Sequence, residues 1–315
     1  MRNYDVIIIG AGPAGLTAAL YTARSRLSTL LLDKLAPGGQ LLNTERIEDY
    51  PGFDTISGLE LSERFEHQAR NFGAEVRIEE VKELFPSQKL VRTDTAEYQA
   101  KAVIITSGGY PRKLDIPGER KFAGKGVSYC ALCDGAFFKG QTIAVVGGGN
   151  SAVEESTFLT KYVKKLYLVH RRDEFLAQKI IQEQAHKNEK IEFVVNSVME
   201  EIGGGKEVEW AWIRNLKTGQ RHRLDLQGVF IFIGYIPYRD YFREHMAHDA
   251  EGYLLTDSNM ETSVPGVFAA GDIRQQLTRQ ITTAAGDATT AAVAAEKYIE
   301  KLSHGEGLVA AIPAG

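Results

Sequence analysis

The chain opens on an apolar stretch that changes character halfway along. Residues 6–23 carry no charge, and β-branched VIII is followed by a glycine-rich turn and then by Ala/Leu-rich LTAALYTA. Eighteen uncharged residues are enough to raise the question of a membrane span. Asp5 precedes the stretch, however, and Gly10, Gly12 and Pro13 would weaken a spanning helix. The pattern therefore predicts a strand, a turn and a helix rather than a span or a signal peptide.

The same plan recurs in the second half, where QTIAVVGGGNSAVEESTFL again gives a strand, a glycine turn and a helix. Each half ends on an apolar strand followed by a glycine, Gly108 or Gly234. Short β-rich stretches lie between, AEVRIEEV and KLVRTDT in the first half and KIEFVV and VEWAWIRNL in the second, and we expect all four to be antiparallel crossover strands. The predicted fold class is α/β, with two Rossmann-like three-layer nucleotide-binding domains.

The last segment is predicted to rejoin the first domain. VFAAGD has the composition of a strand entry, and an Ala-rich helix follows from about Ile281. The second domain, 114–241, is then inserted into a discontinuous first domain made of 1–113 and 242–315. The two crossings, near 111–117 and 237–242, are expected to act as hinges.

The two glycine turns predict two dinucleotide sites. In GAGPAG, Gly10 permits a tight turn, Gly12 lets the backbone approach a pyrophosphate, and Gly15 allows helix and strand to pack closely. The start of the following helix offers free N–H groups to the phosphates. In the second copy the corresponding places are taken by Gly147, Gly149 and Ala152.

The two sites differ in the residue that lies 23 positions after the first glycine of each turn. It is Asp33 in the first half and His170, followed by Arg171 and Arg172, in the second. An acid bonds a ribose 2′-hydroxyl, whereas a basic cluster favours a 2′-phosphate. The first site therefore suits a dinucleotide with a free ribose, such as FAD, and the second suits NADPH. A solvated strand end is the alternative explanation for the two arginines.

Composition excludes several classes of protein. The 315 residues are 43% hydrophobic and 25% charged, close to the ordinary globular mixture. A net charge of −4 without a Lys/Arg run gives no electrostatic sign of a nucleic-acid or anionic-membrane partner. Two cysteines cannot staple a secreted fold, so a reducing, cytoplasmic location is expected.

Both cysteines lie in one motif, with Cys130 and Cys133 followed directly by Asp134. A redox dithiol is the favoured explanation, because CxxC can bring two sulfurs within disulfide reach and an adjacent acid can move the proton that exchange requires. Two alternatives remain. The pair could be buried small side chains, or part of a zinc site using His245 and His248, although no second CxxC is present. Asp134 could also be a helix or turn cap.

The motifs together resemble low-molecular-weight thioredoxin reductases, flavoproteins of the pyridine nucleotide-disulfide oxidoreductase family. The resemblance rests on GAGPAG, GGQL, EDYPGF, CALCDG, GGGNSA, HRRDEF, VFAAGD and RQITTAAGD. It implies a homodimer in which electrons pass from NADPH to FAD, then to the Cys130–Cys133 disulfide, and then to thioredoxin. It also implies that Cys133 faces the flavin and that the domains rotate between half-reactions.

Candidate site residues follow from the motifs and the resemblance. The catalytic candidates are Cys130, Cys133 and Asp134, and no metal site is predicted. Asp272, after Gly271, is placed to meet a polyol or ribityl hydroxyl, with an N-cap as the alternative. The candidate cofactor-binding residues are Gly10, Gly12, Pro13, Ala14, Gly15, Asp33, Gly39, Gln40, Leu41, Asn43, Gly108, Gly147, Gly149, Asn150, Ser151, Ala152, His170, Arg171, Arg172, Gly234, Gly271, Asp272, Arg279, Gln280 and Ile281.

Two departures from the family pattern stand out. Leu176 occupies a place where the family often has a further Arg for the 2′-phosphate, which is expected to weaken the preference for NADPH over NADH. The Gly/Ala-rich tail after Lys301 has no assigned role. The rival functions are a flavin dithiol oxidase, a reductase fed by NADH or ferredoxin, and a non-catalytic flavin-binding protein.

Overall fold

The computed structural model describes residues 1–44 and 47–304, apart from the side chain of Asn43, so the tail from 305 onward lies outside the described residues. The helices are α1 (Pro13–Arg24), α2 (Gly58–Asn71), α3 (Ala131–Asp134), α4 (Asn150–Leu159), α5 (Lys179–His186) and α6 (Ile281–Ser303). The strands are β1 (Arg2–Ile9), β2 (Thr29–Asp33), β3 (Glu75–Ile78), β4 (Val81–Phe85), β5 (Leu90–Thr93), β6 (Glu97–Ile105), β7 (Gly109–Pro111), β8 (Val127–Ser128), β9 (Thr142–Gly147), β10 (Lys165–Val169), β11 (Ile191–Val194), β12 (Ser197–Gly203), β13 (Trp210–Asn215), β14 (Arg221–Asp225), β15 (Gly228–Phe232), β16 (Tyr235–Pro237) and β17 (Val267–Ala269).

The chain divides into two compact units, one inserted in the other. The first unit is Met1–Tyr110 with Ile236–Gly315, and the second is Pro111–Tyr235. The division falls a few residues before the expected boundaries of 113/114 and 241/242. The reason for the second difference is Tyr241, which is buried in the core of the first unit and donates a hydrogen bond from its hydroxyl to Ser107 Oγ at 2.9 Å.

In the first unit, a parallel sheet separates two apolar cores. β3, β2, β1, β6 and β17 pair in parallel in that order, while β4, β5 and the first part of β6 pair antiparallel. Side chains alternate along β1, so Val6 and Ile8 pack with α1 and α6 whereas Ile7 and Ile9 pack toward β4 and β5. The layers are therefore helices, parallel sheet and antiparallel crossover.

The second unit repeats this plan. Its parallel sheet has the order β11-β10-β9-β15-β8, and β12, β13 and β14 form a separate antiparallel sheet. Along β9, Ile143 and Val145 pack in a cluster with α4, while Ala144 and Val146 pack in a cluster with the antiparallel sheet. The predicted fold class, two three-layer Rossmann-like domains with the second inserted in the first, is confirmed.

The prediction of antiparallel crossover strands is wrong for two of the four segments. β3, from AEVRIEEV, pairs in parallel with β2, and β11, from KIEFVV, pairs in parallel with β10. Both are the edge strands of parallel sheets, where half-exposed positions give the same alternating pattern as a crossover strand. The crossover of the first unit begins instead at β4, and that of the second at β12.

The apolar stretch at the beginning of the chain is β1 followed by α1, as predicted. Pro13 stands at the first position of α1, where a missing N–H costs nothing. The Ala-rich helix begins at Ile281, also as predicted. Within residues 1–44 and 47–304, no helix is both long enough and apolar enough to cross a membrane.

Candidate active site

The first glycine turn is crowded at two positions and open at the third. A Cβ atom at Gly10, whose φ is +106°, would lie 2.5 Å from the carbonyl oxygen of Thr106, and one at Gly15 would lie 1.8 Å from the Gly10 oxygen. A Cβ at Gly12, where φ is −74°, would meet its nearest neighbour, the Gly39 Cα, only at 4.0 Å. No protein atom would therefore clash with a side chain at position 12, and this is the condition expected where a glycine leaves room for a ligand to approach the backbone.

The second glycine turn has the same construction. A Cβ at Gly147 would lie 2.4 Å from the Phe232 oxygen and 2.5 Å from the Cβ of Ala152, which is itself buried. A Cβ at Gly149 would have no heavy atom within 4 Å. α4 begins at the next residue, Asn150, so its first N–H groups border this open space.

Asp33 lies against the first glycine turn. Its Oδ2 accepts a hydrogen bond from the backbone N–H of Ala11 at 2.6 Å, and its Oδ1 accepts one from Leu35 N–H at 3.0 Å. These bonds place the carboxylate beside the residue between Gly10 and Gly12. A carboxylate oxygen has further lone pairs, so the group can still accept bonds from ribose hydroxyls.

His170 occupies the equivalent position in the second unit, but it is buried. A Cβ at Gly148 would lie 2.1 Å from its ring, and the ring stacks on Phe175 with centroids 4.9 Å apart. Burial, assisted by the charges of Arg171 and Arg172, lowers the pKa of His170, although hydrogen bonds to the backbone at Glu174 and Gly147 oppose this. His170 therefore supports the glycine turn as a neutral ring, and the two exposed arginines provide the positive charge.

Leu176 also adjoins the second glycine turn. Its backbone N–H donates to the Gly148 oxygen at 2.8 Å, while 70% of the residue is exposed. Gly148 is a residue that the motif comparison missed, because the G-x-G-x-x-G pattern treats its position as variable. The run of three consecutive glycines was the signal that could have identified it.

The GGQL segment is brought to the first glycine turn. The N–H of Gly38 donates to the Ala11 oxygen at 2.7 Å, and a Cβ at Gly39 would lie 3.0 Å from the Gly12 Cα. Gln40 Nε2 donates to the Gly109 oxygen at 3.0 Å. Leu41, by contrast, is buried in a small apolar cluster against which Ile281 packs, so both of these candidates contribute to the core.

The VFAAGD segment reaches the same region from the other end of the chain. A Cβ at Gly271 would lie 3.0 Å from the Ala14 Cβ, so Asp272 follows a close contact with the start of α1. Gln280 caps α6 in a capping box with Thr283. Asp287 is a further polar residue here that no sequence motif indicated. Its Oδ2 accepts hydrogen bonds from the Gly271 N–H at 3.2 Å and from Arg274 at 3.0 Å.

The remaining candidates are distributed over these same elements. Arg279 places its guanidinium over the Tyr253 ring at 4.1 Å. Ser151 is exposed in the first turn of α4, and the side chain of Asn43 lies outside the described residues. Gly108 and Gly234 have φ values of +57° and +117° and follow the closing strands β6 and β15.

The two cysteines form a disulfide in the second unit. The Cα atoms of Cys130 and Cys133 are 5.4 Å apart. Cys130 is the N-cap of α3, and its sulfur accepts the N–H of Cys133 at 3.1 Å. Both residues are half-buried, whereas Leu132 between them is 50% exposed. The disulfide is thus held at the surface of the unit by its own short helix.

A buried serine that no sequence motif indicated is hydrogen-bonded to both Asp134 and the backbone of Cys130. Ser128, only 5% exposed, donates its hydroxyl to Asp134 Oδ2 at 2.5 Å and accepts the N–H of Cys130 at 3.1 Å. Its position at the end of β8 fixes the hydroxyl relative to the parallel sheet. The Asp134 carboxylate is thereby tied to Ser128, and it makes no side-chain cap hydrogen bond to the 3-10 turn that follows.

A second buried polar group lies on the other side of Cys130. Glu119, 1% exposed, accepts hydrogen bonds from Tyr129 Oη at 2.9 Å and from the N–H groups of Leu114 and Asp115 at 3.1 and 2.7 Å. Burial, followed by the bond to Glu119, raises the pKa of the Tyr129 phenol. The residue before Cys130 is thus attached to the segment by which the chain enters the second unit.

The zinc alternative receives no ligand set. His245 and His248 lie in the first unit with ring centroids 5.5 Å apart. Among residues 1–44 and 47–304, no group of three or more His, Cys, Asp or Glu side chains is arranged to hold a metal ion.

Comparison with known proteins gives consistent relatives. The chain is 49% identical over 304 residues to a thioredoxin reductase of Listeria monocytogenes, covering 96% of this chain and 95% of that protein. It is 48% identical over 305 residues to a thioredoxin reductase of Bacillus subtilis, covering 96% of each. The crystal structure of a thioredoxin reductase from Streptococcus pyogenes superposes with a TM-score of 0.92 at 47% identity, covering 95% of this chain and 99% of that one.

The family model for pyridine nucleotide-disulphide oxidoreductases matches residues 4–288, which include both glycine turns, the disulfide and the start of α6. That match covers most of the chain and agrees with the resemblance inferred from the motifs. The chain belongs to the pyridine nucleotide-disulphide oxidoreductase family.

Proposed function

We propose that this protein is an NADPH-dependent, FAD-containing thioredoxin-disulfide reductase. The observation that carries the proposal is the arrangement in the second unit, where the Cys130–Cys133 disulfide, followed in the chain by Asp134 with its hydrogen bond from Ser128, shares one domain with an open glycine turn. A dithiol and a nucleotide site on one domain suit an enzyme that transfers electrons to an external disulfide.

The residues present fit both cofactors. The space beside Gly12, which a Cβ would enter, suits the FAD pyrophosphate, with Asp33 on the ribose hydroxyls and the 271–272 segment near the start of α1. The space beside Gly149 suits the NADPH pyrophosphate, with Arg171 and Arg172 on the 2′-phosphate. FAD, when bound, supplies the two-electron carrier between the nicotinamide and the disulfide.

The chain's own residues carry out the exchange with thioredoxin. In the reduced pair, one thiolate attacks the partner's disulfide, which breaks that bond and forms a mixed disulfide. The second thiol then loses its proton and displaces the partner as a dithiol, which restores Cys130–Cys133. In this proposal Asp134, whose Oδ2 accepts the Ser128 hydroxyl, accepts and returns the proton of this second thiol.

Alternation of the units is proposed on the connections between them. The disulfide and the proposed nicotinamide site belong to one unit, whereas the proposed flavin site belongs to the other, so the disulfide and a bound nicotinamide would need access to the flavin in turn. The crossings are short, namely β7 and β16, three residues each, which pair as a two-stranded sheet. A crossing made of so few residues permits one unit to rotate relative to the other. A homodimer is proposed on the family resemblance alone, and a cytoplasmic location on the need to keep a dithiol reduced.

A coupled assay tests this function directly. Reduction of a thioredoxin disulfide is followed with NADPH and, separately, with NADH, in wild type and in Cys133→Ser. We expect turnover with NADPH, weaker turnover with NADH, and none in the variant. If neither NADPH nor NADH bleaches the flavin under anaerobic conditions, the proposal is refuted, and a ferredoxin-type donor is favoured instead.

A further inference from the structure

We propose that Ser128 is a positioning residue that keeps the reduced Cys130–Cys133 pair in place and thereby makes the dithiol a stronger reductant. The inference rests on the proposed function only in treating these cysteines as a redox pair. Ser128 touches neither sulfur in the bonds described above; it acts through the backbone of Cys130 and the carboxylate of Asp134.

The hydrogen bonds of Ser128 close the segment that carries the disulfide. The N–H of Cys130 donates to Ser128 Oγ at 3.1 Å, and Ser128 Oγ donates to Asp134 Oδ2 at 2.5 Å. Residues 128 and 134 therefore bracket the CxxC turn, one at the end of a sheet strand and the other at the end of α3. A bond to a carboxylate is among the stronger hydrogen bonds in proteins.

The serine matters unequally in the two redox states. In the oxidised protein, the S–S bond itself restrains the turn, so removing the serine hydroxyl frees little chain. In the reduced protein that bond is absent, and the Ser128 contacts are a principal restraint on the distance between the thiols. Loss of the hydroxyl should release conformational entropy mainly in the dithiol state.

A looser dithiol forms its disulfide less readily, so the disulfide of Ser128→Ala should be easier to reduce than that of the wild type. Only the part of this restraint that the S–S bond does not itself supply differs between the two redox states, so we expect a change of roughly threefold to tenfold in the thiol–disulfide equilibrium constant. The sign is the informative part, because general loosening of the fold would not select one redox state.

The equilibrium can be measured without turnover. The holoenzyme is equilibrated at pH 7 in mixtures of dithiothreitol and its cyclic disulfide and then alkylated. Dithiothreitol passes two electrons and two protons to the pair, so its own thiols become a disulfide while the Cys130–Cys133 bond breaks. Because the chain contains only two cysteines, the alkylated fraction reports this pair alone.

Further variants make the test specific. Ser128→Thr retains the hydroxyl and suits a strand position, so its midpoint should return toward that of the wild type. Ser197→Ala is the matched control, since Ser197 is also buried in this unit but its hydroxyl donates to the oxygen of nearby Val195 at 2.9 Å. In a double-mutant cycle, Ser128→Ala with Asp134→Ala should shift the midpoint by less than the sum of the single shifts.

The inference is overturned if the thiol–disulfide equilibrium constant of Ser128→Ala lies within twofold of the wild-type value, or if the disulfide of this variant is harder to reduce. It is also overturned if Ser128→Thr shifts the equilibrium as much as Ser128→Ala does, or if the shifts of the two single mutants add up to that of the double mutant. Its failure is distinguishable from failure of the proposed function. A wild-type pair that titrates normally but supports no NADPH-dependent thioredoxin reduction would remove the function and leave the role of Ser128 standing.

Discussion

Gly149→Ala should separate nucleotide binding from folding. The backbone at Gly149 has φ −85° and ψ −179°, which alanine adopts without strain, and the added Cβ would have no heavy atom within 4 Å. Alanine is a poorer N-cap than glycine by about 1 kcal/mol, but it also removes about 0.4–1 kcal/mol of unfolded-chain entropy. The two effects nearly cancel, so thermal stability should hardly change.

The methyl group would instead enter the space proposed for the NADPH pyrophosphate. If it displaces the phosphates enough to break one charge-assisted hydrogen bond to the start of α4, binding loses about 1.5–3 kcal/mol. That corresponds to a KM for NADPH raised roughly tenfold to hundredfold. Steady-state kinetics with NADPH varied and thioredoxin saturating gives this value, and flavin absorbance checks that FAD content is unchanged.

Gly148→Ala provides the contrast, because a Cβ there would lie 2.1 Å from the His170 ring. That variant should lose about 1–3 kcal/mol of stability through overpacking. A KM for NADPH within twofold of the wild type in a folded, FAD-replete Gly149→Ala protein would refute the assignment of the second glycine turn to the nucleotide. Equal destabilisation of the two variants would refute the geometric argument for its open face.

Three further outcomes are expected. Leu176→Arg should raise the ratio of kcat/KM for NADPH over NADH about tenfold, since it adds one charge-assisted contact beside Arg171 and Arg172; an unchanged ratio would place the 2′-phosphate elsewhere. Cys133→Ser should lose thioredoxin reduction by about a thousandfold or more while NADPH still bleaches the flavin, as stopped-flow absorbance would record. Burial lowers the pKa of His170 from 6.5, so the contribution of the neutral ring to the free energy of unfolding is complete above about pH 6.5 and falls as the pH drops toward the folded-state pKa. Between pH 7.5 and pH 5.5, the free energy of unfolding measured in urea should therefore decrease less for His170→Phe than for the wild type.

The parts of the fold that the sequence predicts well are those dictated by local chemistry. β1 with α1 and β9 with α4 follow from apolar runs interrupted by glycines, and those glycines are required by contacts of 2.5 Å or less at Gly10, Gly15 and Gly147. Strand partners are less predictable. The edge strands β3 and β11 have the alternating pattern of crossover strands, and only long-range pairing with β2 and β10 decides their sheet.

The candidate site shows the same division between local and distant information. CxxC followed by Asp134 identifies its own chemistry because the spacing is short. Ser128 has no motif, since its importance comes from a buried hydroxyl that bridges Cys130 and Asp134 across a turn. Glu119 and Asp287 are similar, because each binds backbone N–H groups that only the folded chain brings to it.

The two halves of the chain also indicate how one framework can select two nucleotides. Each has a crowded, an open and a crowded position in its glycine turn, so the phosphate cradle is the same. The difference lies at the end of the strand that follows each glycine-turn helix, where Asp33 of the first half bonds the turn directly through Ala11. In the second half, a buried neutral His170 fills the corresponding place, which moves the charge outward to Arg171 and Arg172. If the second site takes NADPH as proposed, its selectivity for the 2′-phosphate would depend on packing as well as on charge. A replacement of His170 should then alter nucleotide preference only if it tilts the strand end that carries the two arginines.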